Sequence, residues 1–350
     1  MNEQTTLTPT DETARDEASL AQRGRMVLAS CRAADATTDA IAACHRELTA
    51  RPDNQAALTR LKAIDFSFAD GEQCVRLPED VRQADVFLFQ NLVNPNVAGT
   101  VDDHYMAFFL AARTLREWGA AQVVGVLPYL AYARQDKGTT GEREPASAAL
   151  MAELTAAAGV DSLVTWHPHT TDLRDFYGIP FHGLDPVDSL LHRLDGFAND
   201  DEVILVAPDV GARELVRRCA ELLGLPCAFA TKTRAGADQV TVSGLDGDFT
   251  GRRVAVLVDD IISSGATLLR VMEKLVAEHD IRETHVAVSH NLCRPAALDN
   301  LSRARREFCL RSVSTADSIP PTDVFRQQDY ITIVGLAETL ARVANHIHCT

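Results

Sequence analysis

The sequence has no surplus of positive charge: 34 lysines and arginines stand against 49 aspartates and glutamates, a formal net charge of −15 at pH 7. That balance argues against a nucleic-acid backbone or an anionic membrane as the main partner, because both select basic surfaces. Local basic pockets stay open. The eight cysteines contain no Cys-x-x-Cys pair and no dense framework, so neither a structural zinc site nor a disulfide scaffold is indicated, and a reducing compartment is. No apolar run approaches the roughly 20 residues of a membrane span. The start, MNEQTTLTPTDETARDEA, lacks the basic and apolar parts of a signal peptide. A phosphate loop of the Gly-x-x-x-x-Gly-Lys-Ser/Thr type is also missing, which disfavours a P-loop kinase. These absences leave a cytoplasmic globular protein, with residues 1–23 expected as a disordered N-terminal extension.

What is present is a chain of 350 residues, 46% hydrophobic and 24% charged, long enough for two domains with real cores. Short β-branched runs alternate with helical patterns. The expected strands are RMVLAS, VFLFQ, QVVGVLPYL, SLVTW, VILVAP, RRVAVLVDD and THVAVSH, and stretches such as YMAFFLAARTLREWG between them carry apolar residues at helical spacing. This rhythm predicts an α/β fold: mainly parallel sheets flanked by helices. The plan runs twice. Gly, Pro and acids collect in GLDPVDSLLHRLDGFANDDE, which marks the join. The expected domains are 24–186 and 187–335, followed by a C-terminal helix at 336–350 that could pack back on the first domain.

Residues 257–268 read LVDDIISSGATL: an apolar strand runs into Asp259 and Asp260, and small residues follow before the next apolar stretch. In open α/β sheets, ligands sit beyond the carboxyl ends of the strands, where small residues opening a helix leave backbone N–H groups to cradle a phosphate. Ser263, Ser264, Gly265, Ala266 and Thr267 would form such a nest. The two acids are acceptor-only groups suited to a vicinal diol or a magnesium ion. A sugar phosphate satisfies both halves. The bland alternative is an acid pair ending a strand before an ordinary capped helix.

The string resembles the phosphoribosyl diphosphate loop shared by type I phosphoribosyltransferases and ribose-phosphate pyrophosphokinases. FADGE at 68–72, PYLAYARQD at 128–136, REPASA at 143–148, APDVGA at 207–212 and KTR at 232–234 then follow the motif order of the ribose-phosphate pyrophosphokinase family, from about residue 24 to the end. That resemblance implies two phosphoribosyltransferase-like domains. It also implies transfer of the pyrophosphoryl group of MgATP to the C1 hydroxyl of ribose 5-phosphate, with Mg2+ as cofactor and a homo-oligomer of dimer or hexamer-of-dimers type. Residue by residue, it implies that Phe68, Asp70 and Glu72 lie by the adenine of ATP with Arg134, Gln135 and Asp136. These types fit, since phenylalanine stacks on a purine, carboxylates accept from its amine and arginine neutralises phosphate. Asp209, Val210 and Gly211 become the pyrophosphate loop, and His169 and Asp209 the metal-side ligands. Lys232 and Arg234 are implied to be catalytic cations on a loop that closes through AGADQ.

There are departures from the family pattern. His167-Pro168-His169 stands where Asp-Leu-His is common, Ser263 replaces an acid found in many bacterial members, and TARPDNQAALTRLKAIDFS is an apparent insertion. Between ARQD and REP the chain reads KGTTGE, with Lys137 its single cation, so weak regulation by phosphate is expected. Two other functions compete. A nucleobase phosphoribosyltransferase would need only one half-unit, and a silent regulatory homologue would be free to lose Lys232, Arg234, His169 and Asp209, all of which are present.

Overall fold

The computed structural model describes residues 25–50, 58–138, 143–234 and 240–350, with backbone alone at 232–234 and 240–241. The leading 1–23, the part of the insertion at 51–57, the end of KGTTGE at 139–142 and the AGADQ loop at 235–239 lie outside the described residues. The chain divides into two compact units. One ends at Leu184 and takes in Leu336–Thr350; the other is Asp185–Gly335.

In the first unit the elements run β1 (Met26–Ser30), α1 (Asp35–Thr49), β2 (Thr59–Leu61), β3 (Asp65–Ser67), β4 (Gln73–Val75), β5 (Asp85–Phe89), α2 (Val101–Glu117), β6 (Gln122–Val126), α3 (Ser147–Ala157), β7 (Ser162–Trp166) and β8 (Phe181–Leu184). Six of these strands form one sheet in the order β2-β1-β5-β6-β7-β8, and every pairing in it is parallel. The remaining two, β3 and β4, make an antiparallel ribbon of their own. Helix α2 starts where the sequence announces it. Thr100 accepts from the Asp103 N–H (3.2 Å) while Asp103 accepts from the Thr100 N–H (2.8 Å), a reciprocal cap that satisfies two otherwise unpaired donors. Its apolar face, with Phe108 and Leu115 fully buried, covers the sheet.

The second unit runs α4 (Val187–Leu194), β9 (Val203–Ala207), α5 (Arg213–Leu223), β10 (Cys227–Arg234), β11 (Val240–Asp246), β12 (Val254–Ile262), α6 (Ala266–Glu278), β13 (Glu283–Asn291), α7 (Pro295–Glu307), β14 (Leu310–Ala316), α8 (Asp323–Arg326) and β15 (Ile331–Val334). The sheet order is β11-β10-β9-β12-β13-β14-β15, parallel except for the β10–β11 pair. Along β12, Ala255 and Leu257 enter one apolar cluster while Val256 and Val258 enter another, and all four are fully buried. Both faces of this sheet are therefore covered, as a parallel sheet requires, and the strand reads as an unbroken apolar run. The last helix, α9 (Ala337–Cys349), belongs to the first unit, where it packs on α1 and His348 Nδ1 lies 2.8 Å from Asp85 Oδ2.

Two expected boundaries move. The strand expected to reach Leu130 ends at Val126, because Pro128 has no N–H to continue the ladder. The strand expected to end on its acid pair instead continues: Ile261 and Ile262 still pair with His290 and Asn291. Asp259 and Asp260 are thus inside β12, not after it.

Candidate active site

Strand β9 is flanked by β10 on one side and β12 on the other, so the chain leaves it in opposite directions to build the two halves of the sheet. The carboxyl ends of β9 and β12 adjoin this reversal, the place where open α/β sheets present a crevice. After β9 the chain bends through Asp209, whose Oδ1 accepts from the Gly211 N–H (2.9 Å) and the Ala212 N–H (3.3 Å). This carboxylate shapes the turn that opens α5. Val210 at the tip is exposed, an apolar side chain left without cover on a turn.

The acids on β12 are not equivalent. Asp259 is 8% exposed and Asp260 is half-buried. Burial first, then the nearby charges of Asp260 and Asp209, push the Asp259 carboxyl well above the usual carboxylate value. Its Oδ1 accepts the Asp260 N–H at 2.9 Å. Asp209, Asp259 and Asp260 therefore converge electrostatically, although 50 residues separate the first from the second. Beyond them Ser263 is half-buried, Ser264 exposed and Gly265 buried. Gly265 caps α6 with φ of 73°, the left-handed region that side chains disfavour, and its carbonyl accepts the Leu269 N–H at 3.0 Å. Ala266 and Thr267 form the first helical residues, so the small-residue stretch is a helix N-terminus.

Lys232 and Arg234 lie on β10, opposite Val242 and Val240 of β11, just past an irregularity between Thr231 and Lys232. Such a bulge sharpens local twist at a sheet edge. The disposition of the two side chains lies outside the described residues.

In the first unit the FADGE residues form the tip of the β3–β4 ribbon. The Phe68 N–H donates to the Glu72 carbonyl (2.8 Å), Asp70 Oδ1 accepts from the Glu72 N–H (3.2 Å), and Phe68, half-exposed, meets Phe66 edge to face at 5.4 Å. Arg134, Gln135 and Asp136 follow β6 on a loop held from α2. Buried Tyr105 donates its hydroxyl to the Ala131 carbonyl (2.9 Å), and Tyr132 donates to Asp102 (2.5 Å). Arg134 and Gln135 stay exposed, and Asp136 lies 3.8 Å from Lys137. His169 follows the neighbouring strand β7 and is exposed. His167 adopts φ of 38°, with its N–H on the Leu184 carbonyl (3.0 Å), and Pro168 packs over Gly183. The structure thus places the ARQD residues and His169 at adjacent strand ends, whereas Phe68, Asp70 and Glu72 sit on a separate ribbon.

Residues 27–159 match the family model described as the N-terminal domain of ribose phosphate pyrophosphokinase, and residues 183–316 match the phosphoribosyl transferase domain. The ribose-phosphate pyrophosphokinase of Maricaulis maris is 33% identical over 284 residues, covering 79% of this chain and 87% of its own. The chain belongs to the ribose-phosphate pyrophosphokinase family. Another member, from Streptomyces coelicolor, is 30% identical over 306 residues, 87% of this chain and 90% of its own. A crystal structure of phosphoribosylpyrophosphate synthetase from Mycobacterium smegmatis aligns with a TM-score of 0.78 at 26% identity, covering 93% of this chain and 99% of that one.

Within this pyrophosphokinase several polar residues escape a reading of motifs. Asn300 on α7 donates to the Ser264 carbonyl (2.8 Å), and Gln90 and Asn91 are buried amides at the end of β5. Tyr132 and Asp102 brace the ARQD loop. The amides at 90 and 91 could have been found, because QN directly after the apolar run VFLF is polar where a strand should still be buried. Asn300 gave no signal at all, since on a helix surface it looks like any solvated residue.

Proposed function

We propose that this pyrophosphokinase joins the terminal diphosphoryl group of ATP to the C1 hydroxyl of ribose 5-phosphate, giving 5-phosphoribosyl 1-diphosphate and AMP for nucleotide biosynthesis. The C1 oxygen bonds to the β-phosphorus as the bond from that phosphorus to the α–β bridging oxygen breaks, and AMP leaves with that electron pair. The observation that carries the reading is the second unit's continuous arrangement of Asp259, Asp260 and the bend from Ser263 to Thr267 at the start of α6. A sugar phosphate uses all of it. Asp259 and Asp260 accept from ribose hydroxyls, while N–H groups at Ser263, Ser264, Gly265, Ala266 and Thr267 hold the 5-phosphate.

Asp209, Val210 and Gly211 form the turn that this reading gives to the diphosphate, shaped by Asp209 Oδ1 accepting from the Gly211 N–H (2.9 Å). In the first unit Phe68 supplies a face for adenine and Asp70 and Glu72 supply acceptors for its amine, with Arg134, Gln135 and Asp136 on the nucleotide. Lys232 and Arg234 neutralise charge that develops in the transition state.

Magnesium suits the donor set. Burial first, then the charges of Asp260 and Asp209, raise the Asp259 pKa, and carboxylate oxygens are the hard donors that a small divalent cation takes. Asp209 would hold it in the second unit. Among the described residues no group of three or more His, Cys, Asp or Glu is placed to bind an ion by itself, which fits an ion that relies largely on water and substrate phosphate. Bound, it would neutralise phosphate oxygens. The eight cysteines are all free, in keeping with a cytoplasmic enzyme. Leu150 and Leu154 lie exposed one turn apart on α3, which supports self-association as a homo-oligomer. The test is formation of AMP and phosphoribosyl diphosphate, followed by mass spectrometry, with ribose 5-phosphate, ATP and magnesium omitted in turn. Product that persists without ribose 5-phosphate overturns the reading, as does nucleotide formed from a free base and phosphoribosyl diphosphate alone.

A further inference from the structure

The bend at Ser264–Gly265 is held from behind by a residue that belongs to none of the motifs. The Asn300 side-chain amide, half-buried on α7, donates to the Ser264 carbonyl at 2.8 Å across 36 residues of sequence. A trans peptide fixes its C=O and N–H on opposite edges of one plane. Anchoring the Ser264 oxygen toward α7 therefore turns the Gly265 N–H away from α7. Among the described residues that N–H finds no hydrogen-bond partner, although Gly265 is buried. As the cap of α6, it has no acceptor within the helix and is left for solvent or a ligand. Glycine makes the anchoring necessary as well as allowed, because it adopts left- and right-handed backbone with similar ease, and the peptide before it can turn over at little cost. The Cβ atom of Asn300 and the carbonyl of Ala297 lie 3.6 and 3.7 Å from where a Gly265 Cβ would be. Helix α7 is thus a shelf under this bend.

We infer that Asn300 is a positioning residue for ribose 5-phosphate, locking the 264–265 peptide so that the Gly265 N–H faces the sugar's 5-phosphate. The inference rests on the sugar-phosphate reading of this loop given above. Asn300 touches no substrate itself, so its loss acts through the loop alone. A ligand lacking the 5-phosphate should not feel it.

The test compares the wild type with Asn300→Leu, which keeps size and helix position but removes the donor, and with Asn300→Ala. Steady-state KM for ribose 5-phosphate and for ATP is measured in each, together with calorimetric binding of ribose 5-phosphate and the thermal midpoint. One net hydrogen bond corresponds to roughly a two- to tenfold change. Both variants should raise KM and Kd for ribose 5-phosphate by about that factor, with kcat at saturating sugar phosphate and KM for ATP unchanged and the thermal midpoint kept. Unchanged ribose 5-phosphate affinity in both variants overturns the inference. So does an equal rise in both KM values with a lowered midpoint, which marks a merely structural contact. A wild type that neither binds ribose 5-phosphate nor turns it over sinks the functional reading instead, and is recognised before any variant is made.

Discussion

The two units are built to one plan and equipped differently. In each, the first strand is central, one neighbour lies to one side, and four strands follow in order on the other: β2-β1-β5-β6-β7-β8 against β10-β9-β12-β13-β14-β15. Strand β5 thus occupies the place of β12. At its end stand Gln90 and Asn91 where β12 carries Asp259 and Asp260. The amides turn inward: Gln90 Nε2 donates to the His104 carbonyl (2.9 Å), and Asn91 Nδ2 donates to the Ala33 carbonyl (3.1 Å) and Thr37 Oγ1 (2.8 Å). An amide can donate to nearby carbonyls and hydroxyls, as both do here, although their own buried oxygens find no partner among the described residues, whereas a carboxylate only accepts and must meet a donor or a cation. The same sheet position therefore closes the chain upon itself in the first unit and leaves charge to be answered in the second. The sheet edges differ too. Three-residue β2 ends the first sheet on that side, and in the second the antiparallel β10–β11 pair extends it and carries Lys232 and Arg234.

The comparison breaks most sharply if the β10–β11 extension is dispensable. Lys232→Ala should lower kcat on the order of a hundredfold, about 3 kcal/mol, with smaller changes in either KM, because its charge counts most in the transition state. Near-normal turnover would remove Lys232 from the chemistry and make the extension an edge cover.

Asp260→Asn should weaken use of ribose 5-phosphate roughly tenfold or more, the range for hydrogen bonds to charged groups, while KM for ATP stays within about twofold. Separate KM titrations decide it. Equal damage to both substrates would place this acid, like its counterpart Asn91, in a structural role.

The mirror experiment belongs to the first unit. Asn91→Ala removes donors to the Ala33 carbonyl and to Thr37 inside the protein and should cost about 1–3 kcal/mol in urea unfolding. The KM for ribose 5-phosphate should not move in that variant. If it does, the first unit's strand end is part of the sugar site.

The smallest effect concerns the C-terminal helix. His45 of α1 is buried, with the Asn345 side chain and His348 of α9 and Arg46 of α1 about it. Burial above all, with the charge of His348 next, lowers its pKa below the usual 6.5. His348 in turn faces Asp85. A depressed histidine binds fewer protons folded than unfolded, so its stabilising share is complete above about 6.5 and is lost as pH falls below that value. The thermal midpoint should drop by a few degrees from pH 7.5 to 5.5, and His45→Leu should flatten that slope. A slope unchanged in the variant would assign the pH response to other groups, half-buried His182 and His285 being further histidines whose values burial lowers.

The contrast between strands found and strands overlooked follows burial. Runs such as VILVA and VAVLV are covered on both faces and show it as continuous apolar sequence. By contrast β8 reads FHGL and β14 reads LRSVSTA, and β3, β4 and β15 have three or four residues each. Partners in the sheet make these segments strands, and nothing in their own periodicity does. The join behaves in the same way: composition places it near residue 186, while the compact units meet between Leu184 and Asp185.

Sequence alone determined what is contiguous. The alternation of apolar runs with helical patterns required parallel sheets, and the small residues from Ser263 to Thr267 are contiguous, so the bend that opens α6 is legible in order. Tertiary structure decided what distant segments do to each other. Adjacent acids look alike in a string, yet packing buries Asp259 beside Asp209 and leaves Asp260 half-open. Asn300 became the anchor of Ser264 only because α7 lies beside α6, and α9 joined the first unit through contacts with α1. Desolvation and hydrogen bonds between remote residues arise from the packed arrangement, and no local pattern of side chains encodes them.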